Sequence, residues 1–281
     1  MVWTKKGSYV QSGISLHVLA SGSKGNSSVV INEATGEGIL IDCGCRRMDL
    51  ASFFQETGND PRNVMAILIT HDHSDHIKSL AMHMRFFKKY GVSPLVFTLD
   101  PLIKPCRKKT DTDKGRLADF EVLRFEDSIQ VAGLEIAPMP TSHDATASCG
   151  FFVQSCQQSS ESLAFVTDTG ILPAESACML SRARLIALEC NHDEKMLKYG
   201  DYPRFLKERI ASDRGHLSNA QAVDLLQRYL GSSCEAIVAM HLSQENNLPS
   251  IVRETVQGAL DEMGSAAKLH VAKQYSRVSV D

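Results

Sequence analysis

Residues 68–77 read LITHDHSDHI, and positions 71–76 alone hold three histidines and two aspartates. Imidazoles and carboxylates are donors for divalent cations such as zinc, manganese and iron. Here they follow directly on an apolar run, residues 64–69, that reads as a buried strand. On a continuing strand His71 and His73 point to one side, and Asp75 and His76 fold back over the same spot from the following turn. His71 and His73 can then share one ion while Asp75 and His76 serve a second. A single tetrahedral site would not use four local groups and leave room for a substrate. A polar loop with a helix cap would explain one histidine, but it does not explain H-x-H-x-D-H.

More donors stand at or just past other strand-like runs. His143 lies in PTSHDA after LEIAPM (134–139), Asp168 closes SLAFVTD (162–168), and His241 closes AIVAMH (236–241). Each alone reads as a satisfied polar residue. Together, at strand ends and beside the 71–76 cluster, they read as ligands, because loops at one edge of a rigid sheet are where sites are built. Asp42 in GILIDC (38–43) is either a bare strand-end acid or an acceptor that fixes a ligand histidine.

The elements that must position these groups are short β-branched runs: 14–20, 28–32, 38–43, 64–70 and 94–98, then 134–139, 149–154, 162–168, 184–190, 236–241 and 268–273. Helical patterns fall near 48–57, 76–90, 202–210, 219–230 and 250–263. Ser218 and Gln221 have the spacing of a capping box, and Pro249 suits a first helical turn. Phe86 and Phe87 belong to a packed helix face. The order of runs predicts a sheet-rich α+β core with helices outside. No internal repeat or low-complexity linker divides the chain.

Composition narrows the function classes. The 281 residues include 30 basic and 33 acidic side chains, a formal net charge of −3. Bulk attraction to a polyanion is therefore excluded, and a nucleic-acid site must be local. Two stretches are locally basic: 104–116, with Lys104, Arg107, Lys108 and Lys109, and 195–214, with Lys195, Lys198, Arg204, Lys207, Arg209 and Arg214. No apolar run suits a membrane span, and residues 1–13 lack the apolar core of a signal peptide. Eight cysteines without CxxC spacing read as reduced core residues of a cytoplasmic protein.

The order Asp42, H71-x-H-x-D-H76, His143, Asp168, His241 resembles the metallo-β-lactamase superfamily across most of the chain. The resemblance implies a four-layer αββα sandwich, one domain over 1–281 with 1–13 as an N-terminal extension. It implies two divalent ions, zinc or manganese with iron possible. His71, His73 and His143 would hold the first, Asp75, His76 and His241 the second, and Asp168 would bridge. ASGSKGNSS (20–28), LECNHDEKML (188–197), GHLSNAQA (215–222) and HLSQENN (241–247) further resemble the YycJ (WalJ/VicX) branch, regarded as 5′-to-3′ exonucleases on double-stranded DNA. LEC and GHLS also resemble elements of ribonuclease Z, in which Glu189 would orient His216 and His216 would donate a proton. Asp75, His216 and Glu189 are then the catalytic candidates.

Two dications outweigh Asp75 and Asp168 and leave a positive centre suited to a phosphodiester. A lactam or thioester hydrolase does not need the His–Glu pair. The expectation is a metal-dependent phosphodiesterase acting on nucleic acid, with DNA favoured and no membrane partner. Ser23 and Asn26 in the 20–28 turn, and Lys195, Lys198 and Lys207, are its candidate contacts. A small-molecule phosphodiesterase, another ester or lactam hydrolase and a non-catalytic metal-binding regulator are the alternatives.

Overall fold

The computed structural model describes residues 13–112, 115–116, 122–125 and 127–281. All of the expected N-terminal extension except Gly13, and Lys114 of the first basic stretch, lie outside the described residues.

In chain order the strands are β1 (Ile14–Ala20), β2 (Ser27–Asn32), β3 (Glu37–Ile41), β4 (Val64–Leu68), β5 (Leu95–Thr98), β6 (Asp111–Thr112), β7 (Gly115–Arg116) and β8 (Val122–Arg124). They continue with β9 (Ile129–Val131), β10 (Leu134–Pro140), β11 (Cys149–Ser155), β12 (Ser162–Val166), β13 (Leu185–Glu189), β14 (Ala236–Met240), β15 (Lys268–Val271) and β16 (Val278–Val280). The helices are α1 (Arg47–Thr57), α2 (Ser74–Ile77), α3 (Leu80–Lys88), α4 (Ile103–Thr110), α5 (Ala174–Leu180), α6 (Glu194–Tyr199), α7 (Arg204–Ile210), α8 (Asn219–Tyr229) and α9 (Pro249–Glu262).

One sheet runs β16-β1-β2-β3-β4-β5-β8 and the other β15-β14-β13-β12-β11-β10-β9, while β6 and β7 form a separate hairpin. Each sheet is part antiparallel and part parallel. The parallel pairs are β3/β4, β4/β5 and β5/β8 in the first, and β12/β13, β13/β14 and β14/β15 in the second. Inward residues such as Ile39, Ile41, Leu68, Phe151, Leu185 and Val238 meet in one core between the sheets. The alternate residues face outward. Leu40 and Ile67 pack with Leu50, Phe53 and Phe87 of α1 and α3, and Ile186 and Leu188 pack with Leu180, Leu226 and Val256 of α5, α8 and α9. This is the four-layer αββα sandwich. Strands covered on both faces read as continuous apolar runs rather than alternating ones, which is why their cores were visible in the sequence.

The strands end earlier than expected where chemistry begins. β4 stops at Leu68, not Thr70, because the Thr70 amide donates to the Asp42 carboxylate (2.9 Å). His71 and His73 are therefore in a loop rather than alternating on a strand, and Asp75 and His76 lie in the single turn of α2. The expected helix over 76–90 is two helices, separated where the Ser79 amide turns to the Cys43 carbonyl (2.8 Å). Asp42, Asp168 and His241 follow β3, β12 and β14 with φ of 59°, 52° and 54°. This left-handed backbone is costly for residues other than glycine and collects at functional sites. The Ser218–Gln221 capping box is formed, and Pro249 opens α9. All eight cysteines are free thiols, six of them buried as expected, while Cys156 and Cys178 are exposed rather than in the core. Among the described residues no helix is long and apolar enough to cross a membrane.

Candidate metal centre

The parallel strands deliver their last residues to one edge of the sandwich. Asp42 arrives after β3, His71 to His76 after β4, Asp168 after β12, Glu189 at the end of β13 and His241 after β14. His143 comes from the loop after β10. Donor atoms of His71, His73 and His143 lie within 4.8 Å of one another, as do those of Asp75, His76 and His241. Asp168 stands between the two groups, its Oδ2 3.2 Å from His76 Nε2 and its Oδ1 3.8 Å from His143 Nε2. The seven candidate ligands are thus brought to one place from four separate stretches of chain.

The second layer fixes which nitrogen four of the five candidate imidazoles present. His76 Nδ1 donates to Asp42 Oδ2 (2.7 Å). His71 Nδ1 donates to Thr70 Oγ1 (3.0 Å), which donates onward to Asp42 Oδ2 (2.8 Å), so Asp42 orients two histidines. His143 Nδ1 donates to the Gly215 carbonyl (2.9 Å), and His241 Nδ1 to Glu189 Oε1 (2.8 Å). With Nδ1 protonated in each, Nε2 carries the lone pair and is the ligating atom. His71 Nε2 and His241 Nε2 are buried without a hydrogen-bond partner. Buried polar atoms are rarely orphaned, and two orphaned ring nitrogens among carboxylates fit a divalent cation.

Electrostatics agree. Burial holds His71 and His143 below the ordinary histidine range. Burial acts the same way on His241, but Asp168, Asp75 and Glu189 outweigh it and raise that imidazole to about 10. Burial also opposes ionisation of Asp168 and Glu189, yet the surrounding histidines keep Asp168 well below the carboxylate range and Glu189 at about 2. Without metal, protons on the imidazoles balance the buried carboxylates, and a cation that enters must displace them.

Backbone packing seals the floor. Asn26 takes the Asp75 carbonyl through its amide (2.8 Å), and its side chain donates to Asp75 Oδ2 (3.1 Å). A Cβ at Gly44 would stand 1.5 Å from the Asp75 carbonyl oxygen, so only glycine lets the 43–45 loop pass beneath α2. Ser21 Oγ accepts from the His241 amide (2.7 Å).

Glu189 also accepts from His216 Nδ1 (2.8 Å). His216 packs against His143 and His241, with ring centroids 4.9 Å and 5.2 Å away. Its side chain is 18 % exposed. It lines an open cavity of about 230 Å³ that Asp75, Asp168, His73 and His241 also face.

A model of the beta-lactamase superfamily domain matches residues 38–242, most of the chain. The chain belongs to the β-lactamase superfamily. An exodeoxyribonuclease WalJ of Streptococcus pneumoniae (strain D39) is 30 % identical over 248 residues, 88 % of this chain and 88 % of that protein. An exodeoxyribonuclease YycJ of Bacillus anthracis is 30 % identical over 256 residues, 90 % of this chain and 91 % of that protein. Among solved structures, the metallo-β-lactamase fold protein YhfI of Bacillus subtilis superposes with a TM-score of 0.68, 15 % identity, and coverage of 95 % and 100 % of the two chains.

In this β-lactamase superfamily chain the candidate nucleic-acid contacts separate. Ser23 is exposed and lines the cavity. Asn26 is buried, its side-chain amide against Asp75 Oδ2 (3.1 Å) and His76 Nε2 (2.9 Å), so it lies beneath the site rather than at its surface. Lys195 and Lys198 are exposed. The Lys207 ammonium is instead tied to the carbonyls of Lys198 (3.0 Å) and Gly200 (2.6 Å), where it joins α7 to the end of α6. None of Lys104, Arg107, Lys108 and Lys109 lines the cavity. Sequence reasoning passed over Asp144, Asn191 and Tyr202, and read Arg209 only as one cation of a basic stretch. Asp144 Oδ1 lies 3.5 Å from His143 Nε2, and the same carboxylate pairs with Arg209 on α7. An acid next to a candidate ligand in PTSHDA was the available signal. Asn191 holds the His241 carbonyl (2.9 Å) and faces the cavity with Tyr202 and Arg209.

Proposed function

We propose that this chain is a metal-dependent phosphodiesterase that degrades DNA from an end, an exodeoxyribonuclease. The observation that carries the reading is the Glu189–His216 pair, which sets a proton donor beside the candidate metal centre (2.8 Å). Hydrolysis of an alkyl phosphodiester expels a poor alkoxide, so a placed acid is worth about 10²–10⁴ in rate. The relatives named exodeoxyribonucleases at 30 % identity support the same substrate class. His71, His73 and His143 would hold one divalent ion and Asp75, His76 and His241 a second, with Asp168 between them. When bound, such ions polarise the phosphoryl group and lower the pKa of a water. His216, held through Nδ1, gives its other proton to the leaving oxygen. The donor set of imidazoles and carboxylates suits zinc or manganese, and also iron.

Two measurements test this. Elemental analysis of the purified chain should find about two divalent ions per chain, the number that two three-residue groups with a shared carboxylate can hold. Stripping them should lower the melting midpoint by about 5–10 °C, because a ligand bound only to the folded state contributes stability by mass action. A chain that binds no metal and melts identically with chelator would sink the metal centre. Duplexes labelled at either the 5′ or the 3′ end should then lose mononucleotides from the 5′ end in the presence of the ion. Activity confined to cyclic nucleotides or lactams would overturn the nuclease reading.

A further inference from the structure

The open side of the site is walled by α7, of which no residue is buried. Leu206, Arg209 and Ile210 form its inner stripe and line the cavity. Phe205 lies one helical turn before Arg209 and next to Leu206, both of which line the cavity. It is 71 % exposed. Across the turn from α6, Tyr199 is 76 % exposed, and the Lys198 ammonium lies 5.4 Å from its ring centroid. Tyr202, between the two helices, faces the cavity itself. The Lys207 ammonium, bonded to the carbonyls of Lys198 and Gly200, holds the two helices as one elbow. Single exposed apolar residues need no explanation. Here two exposed rings flank Tyr202 and Leu206, which line the cavity that holds Asp168 and His216, and exposed Lys195 and Lys198 stand on the same short helix as Tyr199.

We propose that the α6–α7 elbow is a stacking rest for unpaired bases, with Tyr199 and Phe205 seating the strand whose phosphate enters the site. This rests on the nuclease reading above and adds how the strand is presented. Asp168 and His241 are buried at the foot of an open cavity of about 230 Å³, a depth that a single strand reaches more readily than a paired one, so in this proposal the terminal nucleotides part from their complement before a phosphate reaches His216. Parting costs base stacking. Aromatic faces restore it without regard to sequence, since every base has a π-face, and cations beside them track the backbone. A duplex shields the faces of its bases, so rings that project from a surface have nothing to stack on until the end frays.

The test uses the full-length, metal-loaded chain. Tyr199→Ala with Phe205→Ala should raise KM for a duplex end by about tenfold or more, as loss of a stacked base does. A short unpaired 5′ tail should lower KM for the wild type and not for the double variant. A 2-aminopurine placed at the terminal position should be quenched on binding by the wild type alone. The Leu pair, which keeps the apolar area but not the rings, should behave as the Ala pair. A small aryl phosphodiester, too short to reach the elbow, should be hydrolysed by all forms within about twofold. The salt slope of DNA affinity should not change, because stacking releases no counterions, whereas Lys195→Ala with Lys198→Ala should flatten it. Unaltered KM and quenching in a double variant, while the wild type degrades DNA normally, would overturn the elbow and leave the nuclease reading standing. So would a wild type that is dimeric by sedimentation and a variant that is monomeric, for then the rings belong to a protein interface. A wild type inactive on every nucleic acid overturns both.

Discussion

Replacing His216 by alanine is expected to lower turnover of an alkyl phosphodiester by about 10²–10⁴-fold while metal content stays the same. His216 Nδ1 is committed to Glu189 (2.8 Å), 3.6 Å from Asp168 Oδ1, and its ring packs against those of His143 and His241. Its removal therefore takes away a proton donor and no cation ligand. The fold should tolerate the change. The side chain is partly exposed, so water can fill its place, and the His216 amide keeps its bond to the Ile210 carbonyl (2.9 Å). Glu189 retains three other donors. The discriminating measurement is the dependence on leaving group. A nitrophenolate ester departs without protonation, so its loss should shrink to less than about tenfold. Equal losses on both substrates, or a fall in bound metal, would show that His216 serves another purpose.

The parts of this protein that could be read from sequence are those where one residue type has few uses. Both sheets are covered on both faces, so their cores are apolar runs, and the limits of the eleven expected strands fall within about two residues of the runs, whereas the three-residue edge strands β8, β9 and β16 were not among them. H-x-H-x-D-H admits little besides a cation site, and the strand-end positions of Asp42, Asp168 and His241 followed from the same reasoning. Short helices escaped. α6 has six residues and α4 eight with Pro105 inside, which is too little for an amphipathic period to show. The second layer escaped for a different reason. Thr70, Ser21 and Asn191 act through ordinary hydrogen bonds, and nothing local marks them. Ser21 meets the His241 amide across 220 positions of chain, a contact that only the closed sandwich creates. The placement of α7 across the cavity was equally invisible. Its basic residues suggested a strand-binding face, but Lys207 and Arg209 are spent on holding the helix in place.

Glu189 is where the fold and the chemistry are most tightly joined, and its replacement by glutamine should be the most damaging conservative change in the chain. The carboxylate is fully buried. Oε1 accepts from His216 Nδ1 and His241 Nδ1, both at 2.8 Å, and Oε2 accepts from the amides of Thr169 (2.9 Å) and Leu217 (3.1 Å). Glutamine offers one accepting oxygen and one donating amide nitrogen. Two backbone N–H groups cannot reverse, so the oxygen must go to them and the nitrogen must face the imidazoles. His216 and His241 can meet a donor only by giving up the Nδ1 proton, which moves it to Nε2. His241 then presents N–H where a lone pair should meet a cation, and the ion it shares with Asp75 and His76 should be lost or bound far more weakly. His216 in turn loses the acceptor that fixes its Nδ1. Where an amide replaces the carboxylate behind a catalytic histidine, turnover falls by about 10⁴, and a comparable loss is expected here. Glu189→Gln should thus differ from His216→Ala in kind: the first loses metal as well as turnover, the second turnover alone. Alanine at the same position would strand four buried donors and cost about 3–5 kcal/mol, so glutamine is the cleaner probe. Elemental analysis beside steady-state rates decides the matter. A glutamine variant that keeps its full complement of ions, with turnover within about tenfold of the wild type, would mean that this carboxylate does not set the tautomers of the two histidines.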